Sequence, residues 1–141
     1  MLRNIDPIIS PELIKILMEM GHGDEIVLGD ANFPARSHAT RHLLRADGHG
    51  IPALLGAILP LFPLDYAVEH TTILMQYRGD KEPAVWARYK TLLAAWPDGG
   101  KPPLALPKPE FYERARQAYA ILATGEREGF ANIILRKGVL R

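Results

Sequence analysis

Leu13, Ile16, Leu17 and Met20 stand three and four residues apart, the period of a helix with one buried face. Ser10-Pro11-Glu12 precedes them with a capping hydroxyl, a proline for the first helical position and an acid for the first turn, and Gly21 is the predicted stop. Glu25 to Leu28 then reads as a short strand, and Leu43 to Ala46 as another, ended by Asp47-Gly48. Pro52 opens a second predicted helix with Leu54, Leu55, Ile58 and Leu59 on one face. Thr71 to Tyr77 is the clearest strand, and Arg78-Gly79-Asp80 turns the chain. A third helix is predicted from about Pro83 to Trp96, striped by Val85, Trp86, Tyr89, Leu92, Leu93 and Trp96. Pro97 to Pro109 holds five prolines and reads as a loop. Glu110 to about Ala118 is helical, and Tyr119 to Ala123 and Ile133 to Leu135 are strand-like. Helices alternating with short apolar strands predict one layered α/β domain over residues 1–141.

Composition narrows the function. The 17 basic and 16 acidic residues are interspersed and leave a net charge of +1, which argues against a nucleic-acid footprint and against an anionic membrane surface. The absence of cysteine removes a disulfide framework, a thiolate nucleophile and a cysteine-rich zinc site, and is compatible with a cytoplasmic home. The first residues do not read as a signal peptide, and no stretch approaches the roughly 20 apolar residues of a membrane span.

Candidate chemistry centres on Gly21-His22-Gly23-Asp24-Glu25 and on Asp30-Ala31-Asn32-Phe33-Pro34-Ala35. The first puts an imidazole between two residues without side chains, open to close approach. The second opens a proline loop with a carboxylate, past a predicted strand that holds the two groups at a fixed separation. An imidazole and a carboxylate on braced loops suit proton transfer. Plainer readings stand beside these: His22 as a histidine answering a helix dipole, Asp30 as a turn-forming aspartate, Lys108 as a solvated lysine, and Asn132 as the cap of a turn. His38 and His42 have metal-ligand spacing if helical, but no acid completes a set, and they read as two exposed histidines. The Trp86, Tyr89 and Trp96 stripe reads as core or subunit interface, and Arg114 and Arg116 as a solvated helix face.

The chain resembles the fucose mutarotase / ribose pyranase family nearly end to end. The resemblance rests on Ser10-Pro11-Glu12-Leu13, Met20-Gly21-His22-Gly23-Asp24-Glu25 and Asp30-Ala31-Asn32-Phe33-Pro34, and continues in Arg45-Ala46-Asp47-Gly48 and Pro63-Leu64-Asp65. Phe111-Tyr112-Glu113-Arg114-Ala115, Ala123-Thr124-Gly125-Glu126 and Asn132 to Gly138 complete it, in an order and spacing that favour the fucose branch. The resemblance implies a three-layer α/β/α sandwich with a mixed sheet, assembled as a homo-oligomeric ring, bacterial members forming decamers of two stacked pentamers with sites near subunit boundaries. It implies a cofactor-free, metal-free isomerase that interconverts the α and β anomers of L-fucose or a similar free reducing sugar.

By the same resemblance the catalytic histidine falls on His22 and the sugar-binding acid on Asp30. A sugar-holding Tyr-Gly-Asn triplet falls on Phe130, Ala131 and Asn132, of which only the asparagine is kept, and a basic sugar-binding position falls on Lys108. Phe130 has no phenolic hydroxyl, and Lys108 has no planar fork. Two other functions stay open: a pyranase interconverting pyranose and furanose forms of ribose, and a non-catalytic sugar-binding ring.

Overall fold

Ser10 caps the first helix as its position predicts. Its hydroxyl oxygen accepts the Leu13 N–H at 3.1 Å, Pro11 occupies the first turn, and Leu13, Ile16 and Leu17 are buried along one face of Pro11–Glu19, helix α1. The stop is made differently from the prediction. Met20 leaves the helix in an extended conformation, and the left-handed residue of the following loop is Gly23, at φ +88°. A side chain there would also stand 3.1 Å from the Arg136 guanidinium, which would have to shift to admit it.

A computed structural model describes residues 1–141. After α1 come the strand Glu25–Gly29 (β1), the single turn Ala35–His38 (α2) and the strand His42–Ala46 (β2). Helix Ile51–Ile58 (α3), strand Thr72–Met75 (β3) and helix Ala84–Ala94 (α4) follow. Strand Leu104–Leu106 (β4), helix Lys108–Gln117 (α5) and strands Ala120–Thr124 (β5) and Ile133–Arg136 (β6) complete the chain. Two elements were not expected. α2 is a single turn, too short to show a period. β4 lies inside the proline-rich stretch, at the edge of the sheet, where prolines on either side cost few ladder bonds. Lys108 is correspondingly the first residue of α5 and not part of a loop. His38 ends a helical turn and His42 begins a strand, so the two do not share a helix face.

The six strands form one mixed sheet in the order β2-β5-β1-β6-β3-β4. β1, β2, β3, β4 and β5 run parallel, and β6 runs antiparallel between β1 and β3. Side chains alternate across the sheet. Ile26, Leu28, Leu74, Leu122, Ile133 and Leu135 join α1, α3 and α4 in the larger core. Val27, Ile73, Met75, Ile121, Ala123 and Ile134 join Phe111 and Ala115 of α5 and Ala35 of α2 in the smaller one. Burial on both faces makes a three-layer α/β/α sandwich and explains why the central strands read as unbroken apolar runs.

This topology sorts the functional residues onto two edges. Asp30, Thr124 and Lys108 follow or end parallel strands, and Asn132 immediately precedes the antiparallel β6, so all four share the carboxyl edge. The loop carrying His22 enters β1 at the amino edge, where β6 leaves at Arg136. The two ends of β1 are four residue steps apart, roughly 13 Å at the usual rise of a strand. His22 and Asp30 lie beyond those ends.

Candidate functional site

At the amino edge, the His22 imidazole is about half exposed (53%) while its partner Asp65 is buried (1%). His22 Nε2 lies 3.2 Å from Asp65 Oδ1, and the Ala67 N–H donates to the same oxygen at 3.1 Å. Arg136 Nε donates to Asp65 Oδ2 at 2.8 Å. Burial alone would raise the Asp65 carboxyl, but the Arg136 guanidinium, the Ala67 N–H and His22 together hold it below the usual aspartate range. An ionised carboxylate can only accept, so the proton between the two groups belongs to Nε2. The Nδ1 lone pair is then free for a substrate, as in any histidine oriented by an acid. Arg136 continues outward to Glu25 at 3.9 Å, and Glu25 is gripped by both arms of Arg114 at 2.9 and 2.7 Å. Arg114, read from sequence as solvated, anchors α5 to the start of β1.

The imidazole opens onto a cleft of about 580 Å³ walled by Met18, Met20, Leu61, Pro63, Val139 and Leu140. Met18 and Leu140 are exposed there at 78% and 88%, an apolar rim that a lone chain leaves in water.

At the carboxyl edge, Asp30 lines a second cleft of about 410 Å³ with Phe33, Arg36, Arg45 and Thr124. Desolvation raises the Asp30 carboxyl, partly countered by the Asn32 and Phe33 N–H groups. Gly29 leaves room for Phe33, whose ring lies 2.8 Å from where a Cβ would stand. Asn132 is buried. Its Oδ1 accepts the Asp30 backbone N–H at 2.7 Å, and its Nδ2 points to Met75 Sδ. Asn132 therefore sets the position of Asp30. Replacing Asn132 by Ala should orphan the buried Asp30 N–H at a cost of about 1–3 kcal/mol, which thermal melting checks.

The remaining expected residues separate by role. Ala131 is fully buried with its methyl in the larger core, and its carbonyl accepts the Tyr89 hydroxyl at 2.7 Å. It has no polar side chain, so only its backbone could meet a ligand. Phe130 is half-buried in a left-handed conformation, φ 56°, and its carbonyl accepts Trp86 Nε1–H at 2.9 Å. The aromatic stripe of α4 thus braces the two residues before Asn132. Trp96 stands apart from it, 37% exposed. Lys108 is exposed, with its ammonium 5.4 Å from the centroid of the Tyr112 ring. Tyr112 in turn packs edge-on to Phe33 at 5.5 Å and against His38 at 4.8 Å.

Two groups escaped sequence reasoning. Asp65 lies 43 residues from His22, and the Tyr112 ring packs edge-on against Phe33 of the cleft wall. Both sit in stretches that carried the resemblance, which was the available signal.

The matching family model is that of the RbsD / FucU transport protein family, over residues 3–140. The L-fucose mutarotase of Histophilus somni (strain 2336) is 51% identical over 144 residues, covering 99% of this chain and 97% of that protein. The fucose mutarotase of Streptococcus pneumoniae, solved in complex with L-fucose, superposes with a TM-score of 0.92 at 47% identity, covering 99% of this chain and 100% of that one. FucU from Bifidobacterium longum gives a TM-score of 0.92 at 42% identity, covering 97% and 99%. With its motifs, its sandwich and this full-length agreement in hand, the chain belongs to the RbsD / FucU family.

Proposed function

We propose that this protein is a cofactor-free mutarotase that interconverts the anomers of free L-fucose, working as a homo-oligomeric ring, a decamer by the resemblance, in the cytoplasm. The observation that carries the reaction is the His22–Asp65 pair, a solvent-accessible imidazole backed by a buried, ionised carboxylate. Mutarotation needs the anomeric hydroxyl to lose a proton while the ring oxygen gains one. The C1–O5 bond then breaks to the open-chain aldehyde, rotation about C1–C2 presents the other face, and the reverse transfers close the ring. His22 Nδ1 takes the anomeric proton, and Asp65 stabilises the imidazolium that forms. The Tyr112 hydroxyl is the group we assign to protonate O5 on ring opening, and the tyrosinate takes that proton back as the ring recloses. General acid and base groups of this kind are worth about 10²–10⁴-fold each. Asp30 has acceptor capacity left for sugar hydroxyls after the Asn32 N–H at 2.9 Å. Phe33 and Phe130 offer apolar surface to a deoxy sugar.

Base and binding groups lie at opposite ends of β1, so one chain does not bring His22 and Asp30 to one sugar. The reading that joins them sets the amino edge of one protomer against the carboxyl edge of the next. Such a head-to-tail contact closes into a ring when its rotation allows. The apolar rim around His22 supplies area for it.

Mixing tests both halves together. His22→Ala and Asp30→Asn should each be nearly inactive alone. Dissociated, mixed equally and reassembled, they should regain activity at roughly a quarter of their sites, because each wild-type half is present with probability one half. Saturation-transfer NMR on L-fucose measures this. No recovery would place the whole site within one chain, and no exchange by the wild type on fucose would defeat the fucose reading.

A further inference from the structure

The loop that presents His22 leaves α1 without a stop of its own. Met20 is extended, Gly21 is not left-handed, and the last turn of α1 contains no basic residue. Helix C-termini ordinarily meet their unpaired carbonyls with a left-handed glycine or a nearby cation. Here that cation arrives from the far end of the chain. Lys137 Nζ donates to the Leu17 carbonyl at 2.6 Å and to the Met20 carbonyl, residues 120 and 117 positions away. The same residue grips the loop from its other side. The Lys137 N–H donates to the Asp24 carbonyl at 2.8 Å, and the Lys137 carbonyl accepts the Gly23 N–H at 2.8 Å. Four bonds from Lys137 therefore bracket His22, two before it and two after it.

Its neighbours in sequence hold the partner of the imidazole. The Arg136 carbonyl accepts the Asp65 N–H at 3.1 Å, the Arg136 guanidinium holds the Asp65 carboxylate, and the Gly138 N–H donates to the Pro63 carbonyl at 2.8 Å. The end of β6 at Arg136 and the two residues after it thus carry both members of the His22–Asp65 pair. The Lys137 ammonium is the link in that platform that ties it to α1, and a side-chain change can remove it while leaving the backbone bonds of Lys137 in place.

We propose that Lys137 is a positioning residue for the reaction, which ties the end of α1 to β6 and so fixes the His22 imidazole against Asp65. It touches no sugar in this role. A misplacement of about 1 Å in a reacting group is enough to cost on the order of 10²-fold in rate. The proposal rests on the mutarotase reading, and the experiment separates the two.

Lys137→Met removes the donors at similar length. Lys137→Arg keeps a cation but replaces the three-donor ammonium with a planar fork. Exchange rates over a range of L-fucose concentrations give kcat and KM, and ¹H–¹⁵N imidazole spectra, assigned with His22→Ala, report whether the proton stays on Nε2. The expected result is a kcat roughly 10- to 100-fold lower for Lys137→Met, an intermediate loss for Lys137→Arg, a nearly unchanged KM and a displaced His22 signal. A lower melting temperature with wild-type kcat and a wild-type His22 spectrum would make Lys137 merely structural and overturn the proposal, as would a raised KM with kcat intact. If Lys137→Met does not fold, Lys137→Arg decides by the same two measurements: reduced kcat with an altered spectrum supports the role, and wild-type values for both overturn it. A wild type that exchanges no sugar defeats the mutarotase reading but leaves the imidazole spectrum as a test of positioning.

Discussion

His22→Ala is expected to lower anomer exchange by about 10²–10⁴-fold, the share a positioned general base contributes, while fold and assembly persist. The reason to expect an intact fold is local. The imidazole is half exposed and packs in neither core, so truncation opens no cavity. The loop around it is held by backbone and by other side chains: Gly21 N–H on Asp24 Oδ2 at 2.7 Å, and Gly23 and Asp24 on the backbone of Lys137. Circular dichroism and light scattering matching the wild type, alongside lost saturation transfer, are the expected pair of results. Exchange at the wild-type rate would remove His22 from the mechanism.

Asp65→Asn should lose rate and stability together, by different routes. The carboxylate accepts from His22, Ala67 and Arg136, and an amide of the same shape turns one of those acceptors into a donor. Left facing an amide N–H, His22 is free to carry its proton on Nδ1 and to turn the lone pair away from substrate. The cost is on the order of 10²-fold or more in rate, by analogy with other acid-oriented histidines. Stability should fall by about 1–3 kcal/mol, or roughly 3–12 °C in melting temperature, because a buried bond to a charged partner is lost. The wild-type advantage should depend on pH with a definite sign. Asp65 is held below its ordinary value in the folded state, so its contribution is complete above the unfolded aspartate value of about 3.9. The contribution is lost as pH falls through the lower folded value. Melting curves of the two proteins should therefore lie furthest apart near neutrality and converge in acid. Curves that stay equally separated at acid pH would mean that the ionised carboxylate is not what stabilises this edge.

Local chemistry made much of this molecule legible in one dimension. The Ser10 cap and the spacing of Leu13, Ile16 and Leu17 define α1 because a helix buries one face and needs its first amides satisfied. The apolar runs of β1, β5 and β6 define strands covered on both faces. The motifs around His22, Asp30 and Asn132 identified the family because their order survives as text. Residues 104–106 were hidden, since three residues between prolines carry no period.

Tertiary structure decided the rest. Sequence spacing put His22 and Asp30 eight positions apart and invited a single site, but an extended strand turns a short interval into opposite edges of a sheet. It joined instead residues far apart in the chain: Asp65 to His22, Asn132 to Asp30, and Lys137 to the end of α1. A side chain has no memory of sequence separation once the sheet is ordered. Only the strand order β2-β5-β1-β6-β3-β4, with β6 running backwards beside β1, brings residues 132 and 136 to the two ends of the strand that carries the chemistry.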